Sequence, residues 1–480
     1  MQTSTAITEE QIPLCVDLDG TLVNTDTLVE SALLLVKKNP LYLLIMLFWL
    51  CSGKAHMKEQ IASRCALDVA ALPYNDKLIE WLRALQRENR PLLLVTAANH
   101  RVANAVADHL QLFSRVIASD GKKNLSASNK RDELIQLFGS EAYDYAGNSQ
   151  ADLSVWSHAR QAIVVNASAS VASRAAKVAT VERVFAREYK TLPALLSAMR
   201  PHQWSKNLLI FVNILMAHQL TDGALMASTL LAFVAFCLCS SAVYLMNDLL
   251  DLEADRHHSD KHSRPFASGR ISLMWGIAVA PALLFASIVL ANIAGGAFLP
   301  CLLVYFAITL AYSFALKRIV ILDVLVLAIL YTLRIVAGAA VVGVMPSFWL
   351  LSFSLFIFTS LAMAKRYAEL KALESDLTAW ASGRGYHVGD LAVIANLGVT
   401  SGYIATLVLA LYIKSPDVVE LYRHSGLIWL LCPLLMYWIG RIWLLANRGE
   451  LHQDPVVFAT QDRASYLVCI LGLITLWAAV

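Results

Sequence analysis

Residues 225–246 read LMASTLLAFVAFCLCSSAVYLM, and residues 247–269 continue NDLLDLEADRHHSDKHSRPFASG. The first run is apolar and long enough to cross a bilayer, which takes ~20 residues. The second places Asn247, Asp248, Asp251 and Asp255 at the end of that run. Carboxylates are costly beside lipid and are kept there with partners or for function. At i, i+4 and i+8, Asn247, Asp251 and Asp255 share one face of a continued helix, and Asp248 borders it. Three carboxylates converging there repel unless cations lie between them. Mg2+ takes oxygen ligands and bridges carboxylates to phosphates. Lys261 and Arg264 follow at once and are placed to grip the same anion. The competing reading is a solvated charged loop. The full pattern NDxxDxxxD…KxxRPxxSG, set against a span end, favours a Mg2+–diphosphate clamp.

The whole chain has the composition that such a site needs. Of 480 residues, 58% are hydrophobic and 16% charged, whereas soluble domains carry about a quarter charged residues. A net charge of +3 gives no support to nucleic-acid binding. Eight cysteines form no CxxC pair, and they read as small buried hydrophobes in a reducing compartment. The opening MQTSTAITEEQIP lacks a basic region followed by an apolar core, so no cleaved signal peptide is expected and the N-terminus stays in the cytoplasm.

Two halves follow different physics. PLCVDLDG, PLLLVTAAN, SRVIASD, YDYAGNS and QAIVVNA, all within the first 190 or so residues, read as short buried strands separated by helical patterns. That alternation predicts a parallel sheet with helices on both faces, an α/β Rossmann-like domain. From about residue 200, apolar runs near 205–222, 224–247, 271–294, 297–316, 319–342, 347–364, 393–413, 426–446 and 464–480 predict an all-α domain of about nine membrane spans. Connections rich in Lys and Arg alternate with HQLTDG, NIAGG and VGVMPS, which have none. The positive-inside rule puts the basic connections in the cytoplasm. KSPDVVELYRHSG breaks the contrast. The expected division is 1–188, with a cap about 26–90, then an amphipathic linker 189–204, then 205–480.

NDLLDLEADRHHSDKHSRPFASG resembles the first aspartate-rich motif of the UbiA superfamily of intramembrane prenyltransferases. Typical members carry a second DxxxD after the sixth span, where this chain has AKRYAELKALESD. A Lys-Arg pair there favours direct contact with phosphate oxygens. In that departure the chain resembles the decaprenyl-phosphate phosphoribosyltransferase branch, through MRPHQWSKNLLIF, AYSFALKRIVILDVLVLAILYTLRIVAGA, AKRYAEL and ATQDRASYL. The resemblance implies a Mg2+ clamp on phosphoribosyl pyrophosphate by Asn247, Asp248, Asp251 and Asp255, with a polyprenyl phosphate as acceptor. It further implies substrate-binding roles for Lys206, Arg264, Lys317, Arg334, Lys365 and Arg366. Arg334 lies eleven residues after Asp323, so a structural ion pair between them competes with a substrate role.

Residues 17–21 read DLDGT after the strand LCV. This resembles the haloacid dehalogenase (HAD) phosphatase family. The likeness implies Asp17 as nucleophile, Asp19 as general acid/base, Thr96 and Lys130 as phosphoryl-binding groups, and Mg2+ held by Asp17, Asp19, Asn148 and Asp152. Asn148 stands where an Asp is usual, which leaves an inert scaffolding domain as an alternative. The cap contains NPLYLLIMLFWLCSGKAHMK, an apolar run of about a dozen residues that is too short to span. It is either a buried cap helix or a helix dipping into one leaflet, with Lys54, His56 and Lys58 at the headgroups.

Together the halves suggest transfer of 5-phosphoribose to a polyprenyl phosphate, then removal of the 5-phosphate to give a sugar donor for cell-envelope glycans. The expected partners are phosphoribosyl pyrophosphate, the polyprenyl phosphate and membrane lipids, at a bacterial inner membrane. An aromatic prenyltransferase of quinone synthesis and a membrane scaffold with inert sites are the alternatives.

Overall fold

The computed structural model describes residues 12–479, except 259, 296, 376–379, 382–383, 414, 416–421 and 452–453. The opening segment read for a signal peptide, and most of the KSPDVVELYRHSG connection, lie outside the described residues. The chain forms two compact units. One comprises 1–199 with 244–280, and the other 200–243 with 281–480.

The first unit is built on a six-stranded parallel sheet: β1 Leu14–Val16, β2 Leu92–Asn99, β3 Arg115–Ser119, β4 Asp144–Gly147, β5 Gln161–Val165 and β6 Thr180–Phe185. Its order is β3-β2-β1-β4-β5-β6. Strands β1, β2, β4 and β5 are buried almost throughout, which is why they read as unbroken apolar runs without alternation. One face packs Leu14, Val16, Leu92 and Leu94, and the other packs Cys15, Leu93, Tyr145 and Trp156. Strand β6 was not expected. Its residues are mostly exposed, as at a sheet edge, so it lacks the unbroken apolar run that marks the buried strands.

Between β1 and β2 lie helices α1 Thr27–Lys38, α2 Tyr42–Cys51, α3 Lys54–Ala62 and α4 Asp76–Arg87. Asp26 and Asn75 cap α1 and α4 by accepting from the Val29 and Leu78 amides, as N-cap side chains do. Helices α5 His100–Leu110 and α6 Ala127–Phe138 follow β2 and β3.

From residue 223 on, the α-helices among the described residues are α7 Gly223–Leu250, α8 Leu252–Arg256, α9 Leu273–Ala294, α10 Phe298–Phe314, α11 Leu322–Val342, α12 Phe348–Lys371, α13 Leu391–Tyr412, α14 Leu431–Asn447, α15 Pro455–Ala459 and α16 Arg463–Ala479. Among the described residues, six helices are long and apolar enough to cross a membrane: α7, α9, α11, α12 and the runs Val388–Tyr412 and Gly426–Asn447. The chain is a multi-pass membrane protein. Of the other three expected spans, two are the shorter apolar helices α10 and α16. The stretch at 205–222 instead forms a 3-10 helix, Pro201–Phe211, and a short α-helix, Val212–Met216. The core of the second unit includes Tyr331, Phe358, Leu361, Met363, Tyr367 and Trp443.

Two expectations about burial are corrected. Cys51 and Cys469 are exposed and Cys301 half-exposed, while the other five cysteines are buried. The apolar cap run is not a buried helix: Leu44, Leu47 and Phe48 of α2 are 67%, 62% and 72% exposed.

Candidate functional site

The sheet reverses direction of growth at β1, with β2 and β3 on one side and β4 to β6 on the other. Ligands of such sheets bind outside the carboxyl ends of the strands at that switch. Asp17 leaves the end of β1 there, and its amide donates to the Ala146 carbonyl of β4 at 3.0 Å. Its Oδ1 accepts from Lys130 Nζ at 2.8 Å. Lys130 also donates to the Tyr145 hydroxyl at 2.8 Å, and that hydroxyl donates to Asp152 Oδ1 at 2.9 Å. Asp152 is fixed through Oδ2 by the amides of Asn148 and Ser149, at 3.1 and 2.9 Å. Thr96 is fully buried at the end of β2, where its Oγ1 accepts from the Ala98 amide.

The spacing of DLDGT has a geometric cause. Gly20 has φ of +74°, a left-handed conformation that glycine adopts without strain, and the Asn148 side-chain amide lies against it. Asp19 accepts from the Thr27 amide at 2.8 Å, at the start of α1. Burial, opposed by Lys130, pushes the Asp17 carboxyl up to about 6. Burial and the nearby charge of Asp26 push Asp19 up to about 7. A carboxyl that titrates near neutrality can both give and take a proton, as general acid/base chemistry needs. The structure thus brings together Asp17, Lys130 and Asp152, with Asn148 on the adjoining loop. All offer oxygen donors except Lys130, and such a donor set fits Mg2+.

The clamp residues lie in the same unit. Helix α7 ends at Leu250, and Asp251 leaves helical geometry with φ of −104° and ψ of 17° before α8 begins. The single continued helix face expected for Asn247, Asp251 and Asp255 is therefore interrupted. The i+4 hydrogen bonds survive the break, from the Asp251 amide to Asn247 and from the Asp255 amide to Asp251, at 2.9 and 2.8 Å. The carboxylates are kept together by cations from the chain itself. Arg264 Nη1 donates to Asp248 at 3.2 Å and to Asp255 at 2.7 Å. Lys37 Nζ, from α1, donates to Asp251 Oδ1 at 2.9 Å. Burial, against the pull of Arg264, raises the Asp255 carboxyl. Asp248 and Asp255 thus face one Arg264 nitrogen, and carboxylate oxygens are of the donor type that Mg2+ takes. Arg264 was expected to grip the substrate anion, and here it balances the carboxylates.

In the second unit, Lys206 and Lys365 converge on one carboxylate. Both donate to Asp454 Oδ2, at 2.9 and 3.1 Å, and the Tyr331 hydroxyl donates to Oδ1 at 3.1 Å. Burial pushes the Asp454 carboxyl up, but Lys365 and Lys206 outweigh it and hold the group well below the usual carboxylate range. Sequence reasoning missed Asp454. Its one local signal is the Asp-Pro pair, where Asp454 caps α15.

One pairing raised from the sequence as an alternative is not formed. Arg334 does not pair with Asp323. It donates to Asn207 Oδ1, the Leu330 carbonyl and the Tyr305 hydroxyl, with Phe236, Tyr305 and Tyr331 rings around its guanidinium. Asp323 instead takes Arg366, at 2.7 Å, and the Tyr386 hydroxyl. Arg366 is 1% exposed and also donates to Glu369 and Tyr312. Three of its nitrogens thus each have a protein acceptor within its own unit. Lys317 lies half-buried in the 3-10 turn Leu316–Arg318.

Comparison with known proteins adds four likenesses. A family model, the UbiA prenyltransferase family, matches residues 208–471. Uncharacterized protein y4nM of Sinorhizobium fredii is 38% identical over 96% of this chain and 89% of its own. The decaprenyl-phosphate phosphoribosyltransferase of Mycobacterium tuberculosis is 30% identical over 60% of this chain and 94% of its own. A solved structure of a probable phosphoserine phosphatase from Vibrio cholerae is 14% identical, covering 36% of this chain and 63% of that one, with a TM-score of 0.27.

Proposed function

The chain belongs to the UbiA prenyltransferase family, and from that premise we propose that it transfers 5-phosphoribose from phosphoribosyl pyrophosphate to a polyprenyl phosphate of decaprenyl type. One observation carries the reading. Where the second acidic motif of the family is expected, Lys365 shares Asp454 with Lys206, so the place holds cations suited to phosphate oxygens. The likeness to a relative named for this same transfer supports it. Asn247, Asp248, Asp251 and Asp255 hold Mg2+ in this reading. Bound there, the ion supplies positive charge for the pyrophosphate that departs.

The reaction needs little else from the protein. The bond between the anomeric carbon and pyrophosphate breaks, the carbon gains oxocarbenium character, and an oxygen of the lipid phosphate bonds to it. That oxygen is already anionic, so no general base is required. Lys206 and Lys365 bind phosphate groups by charge, and Arg264 keeps Asp248 and Asp255 together.

The first domain is read as a HAD phosphatase acting on the product. Asp17 attacks the 5-phosphate, the phosphorus–oxygen bond to ribose breaks, and Asp19 gives its proton to the leaving oxygen. Asp19 then takes a proton from the water that hydrolyses the aspartyl phosphate. Thr96 and Lys130 would hold the phosphoryl group, and Asp17, Asn148, Asp152 and the main-chain carbonyl of Asp19 would hold Mg2+, leaving the Asp19 carboxyl free to carry the proton. The division of labour is 1–188 for hydrolysis and 205–480 for transfer, with both sites on the cytoplasmic side of a bacterial inner membrane crossed about nine times.

The test is product mass. The purified full chain is given Mg2+, phosphoribosyl pyrophosphate and decaprenyl phosphate. A lipid heavier by ribose, with inorganic phosphate released, is expected. A prenylated aromatic product from polyprenyl diphosphate and 4-hydroxybenzoate overturns the reading, as does absence of any lipid product.

A further inference from the structure

Helix α2 has no polar face. Residues 39–53 read NPLYLLIMLFWLCSG and carry no charge. Only Trp49 of the helix is buried, in a small cluster with Leu35, Ile61 and Cys65, against which Tyr42 and Met46 also pack. The rest of its apolar surface is open: Leu43, Leu44, Leu47 and Phe48 are each more than half exposed. Contiguous apolar surface of this kind marks an interaction site on a protein otherwise in water. Ten residues of helix span ~15 Å, about half the ~30 Å hydrocarbon core of a bilayer.

Where α2 begins decides what covers it. Lys37, in the last turn of α1, is tied to Asp251, the residue directly after membrane helix α7, at 2.9 Å. Glu30 of α1 accepts two bonds from Arg256 of α8, at 2.9 and 2.5 Å. Gly269, with φ of +69°, closes on Asn24, where a Cβ would lie 2.7 Å from the Asn24 carbonyl oxygen. All these groups belong to the one compact unit. The end of α1 is thus held at the edge of a membrane span, and Tyr42 follows Lys37 by five residues, a reach of at most ~18 Å. An exposed lysine flanks the run on each side, Lys38 before it and Lys54 after it, as suits a segment entering a leaflet with anionic headgroups.

The geometry points to α2 as a monotopic anchor: it lies in the leaflet that the first domain faces and holds that domain's active site against phosphate esters borne by membrane lipids. The link to the site is short. Lys58 of α3, the helix after α2, donates to the Ala97 carbonyl at 2.7 Å and to Asn124 Oδ1 at 2.8 Å, and Ala97 is the neighbour of Thr96. The substrate class rests on the phosphatase reading above. The anchor does not.

Two measurements on the full chain in nanodiscs of phosphatidylethanolamine and phosphatidylglycerol separate these claims. For the first, Cys51, Cys301 and Cys469 are replaced by Ser, a nitroxide is placed at Phe48→Cys, and its relaxation by oxygen and by a water-soluble nickel chelate is compared. Immersion gives high oxygen and low nickel accessibility. Nickel accessibility equal to that of a label at exposed Arg83 overturns the anchor. Strong dipolar coupling between labels also overturns it, because a second copy would then cover the helix. For the second, Leu44→Glu with Phe48→Glu is expected to slow hydrolysis of the ribosyl-lipid 5-phosphate at least tenfold while p-nitrophenyl phosphate hydrolysis stays within about twofold. Unchanged lipid hydrolysis overturns the tethering role. Wild type that hydrolyses neither ester removes the phosphatase reading, and the label at position 48 still decides the anchor.

Discussion

Lys206 donates to Asp454 at 2.9 Å across 248 residues of sequence, and Lys365 donates to the same oxygen at 3.1 Å. One buried carboxylate therefore holds two ammonium groups side by side. Asp454→Asn leaves both lysines without their counter-charge, and breaking a buried pair costs about 3–5 kcal/mol. The variant is expected to unfold at lower temperature and to lose at least tenfold in transfer. Adding Lys206→Met removes one stranded charge, so thermal stability recovers while transfer stays low. Wild-type transfer by the double variant shows that Lys206 holds no substrate phosphate.

Arg366 gives the contrasting case. Asp323 is fully buried and depends on the Arg366 guanidinium and the Tyr386 hydroxyl. Arg366→Met strands that carboxylate and is expected to cost about 3–5 kcal/mol in thermal unfolding. Pairing it with Asp323→Asn restores most of the stability. Transfer by the double variant within about fivefold of wild type identifies a structural pair. Complete loss of transfer in a stable double variant assigns Arg366 a phosphate contact.

At the clamp, Asp248→Asn and Asp255→Asn each withdraw an acceptor from Arg264 and a donor oxygen from the proposed Mg2+ site. Ribosyl transfer, followed by mass spectrometry, is expected to fall more than a hundredfold. Hydrolysis of a soluble phosphate ester by the first domain is expected to continue. Transfer at the wild-type rate in both variants removes the clamp assignment. Chelation by EDTA is expected to stop both activities, with recovery on adding Mg2+.

Asp17→Asn leaves no group able to accept the phosphoryl, because an amide is a poor nucleophile. The variant is expected to accumulate the lipid that keeps its 5-phosphate. Asp19→Asn loses acid/base assistance, worth about 10²–10⁴-fold, and should leak slowly. Identical lipid products from wild type and Asp17→Asn after long incubation show that the first domain acts on something else.

The proton on Asp19 sets a pH limb. Burial and Asp26 raise this carboxyl to about 7, so its acid form is present below that pH and is lost as pH rises through it. Hydrolysis of an ester with a poor leaving group is expected to decline above about pH 7, and Asp19→Asn should flatten that limb. Stability moves in the same direction. The folded group keeps its proton up to about 7, whereas the unfolded one releases it near ~3.9, so this carboxyl's contribution to folding falls as pH rises between those values. An unchanged limb in Asp19→Asn assigns the proton to another group.

Much of this was legible locally. A parallel sheet announces itself in buried strands such as LCV and LLLVTAAN, because strands covered on both faces need apolar residues at every position. Membrane helices announce themselves by length and hydropathy. The DLDGT and NDLLDLEAD spacings place groups within a few residues of one another, and local backbone geometry largely settles such distances. Even there, the break at Asp251 depends on how α7 ends, which the i+4 spacing does not encode.

Partner choice among buried charges was decided only by the tertiary structure. Asp323 stands eleven residues before Arg334, yet it pairs with Arg366, on the next long helix. Lys206 meets Asp454 near the other end of its unit. Lys130 reaches Asp17 across 113 residues, and Lys37 reaches Asp251 across 214. A buried charge must find an opposite charge or pay its desolvation in full, and the three-dimensional packing determines which one comes within reach. Exposure of α2 follows the same division. Composition made it apolar, but only the packing decided that Leu43, Leu44, Leu47 and Phe48 would stay exposed among the described residues.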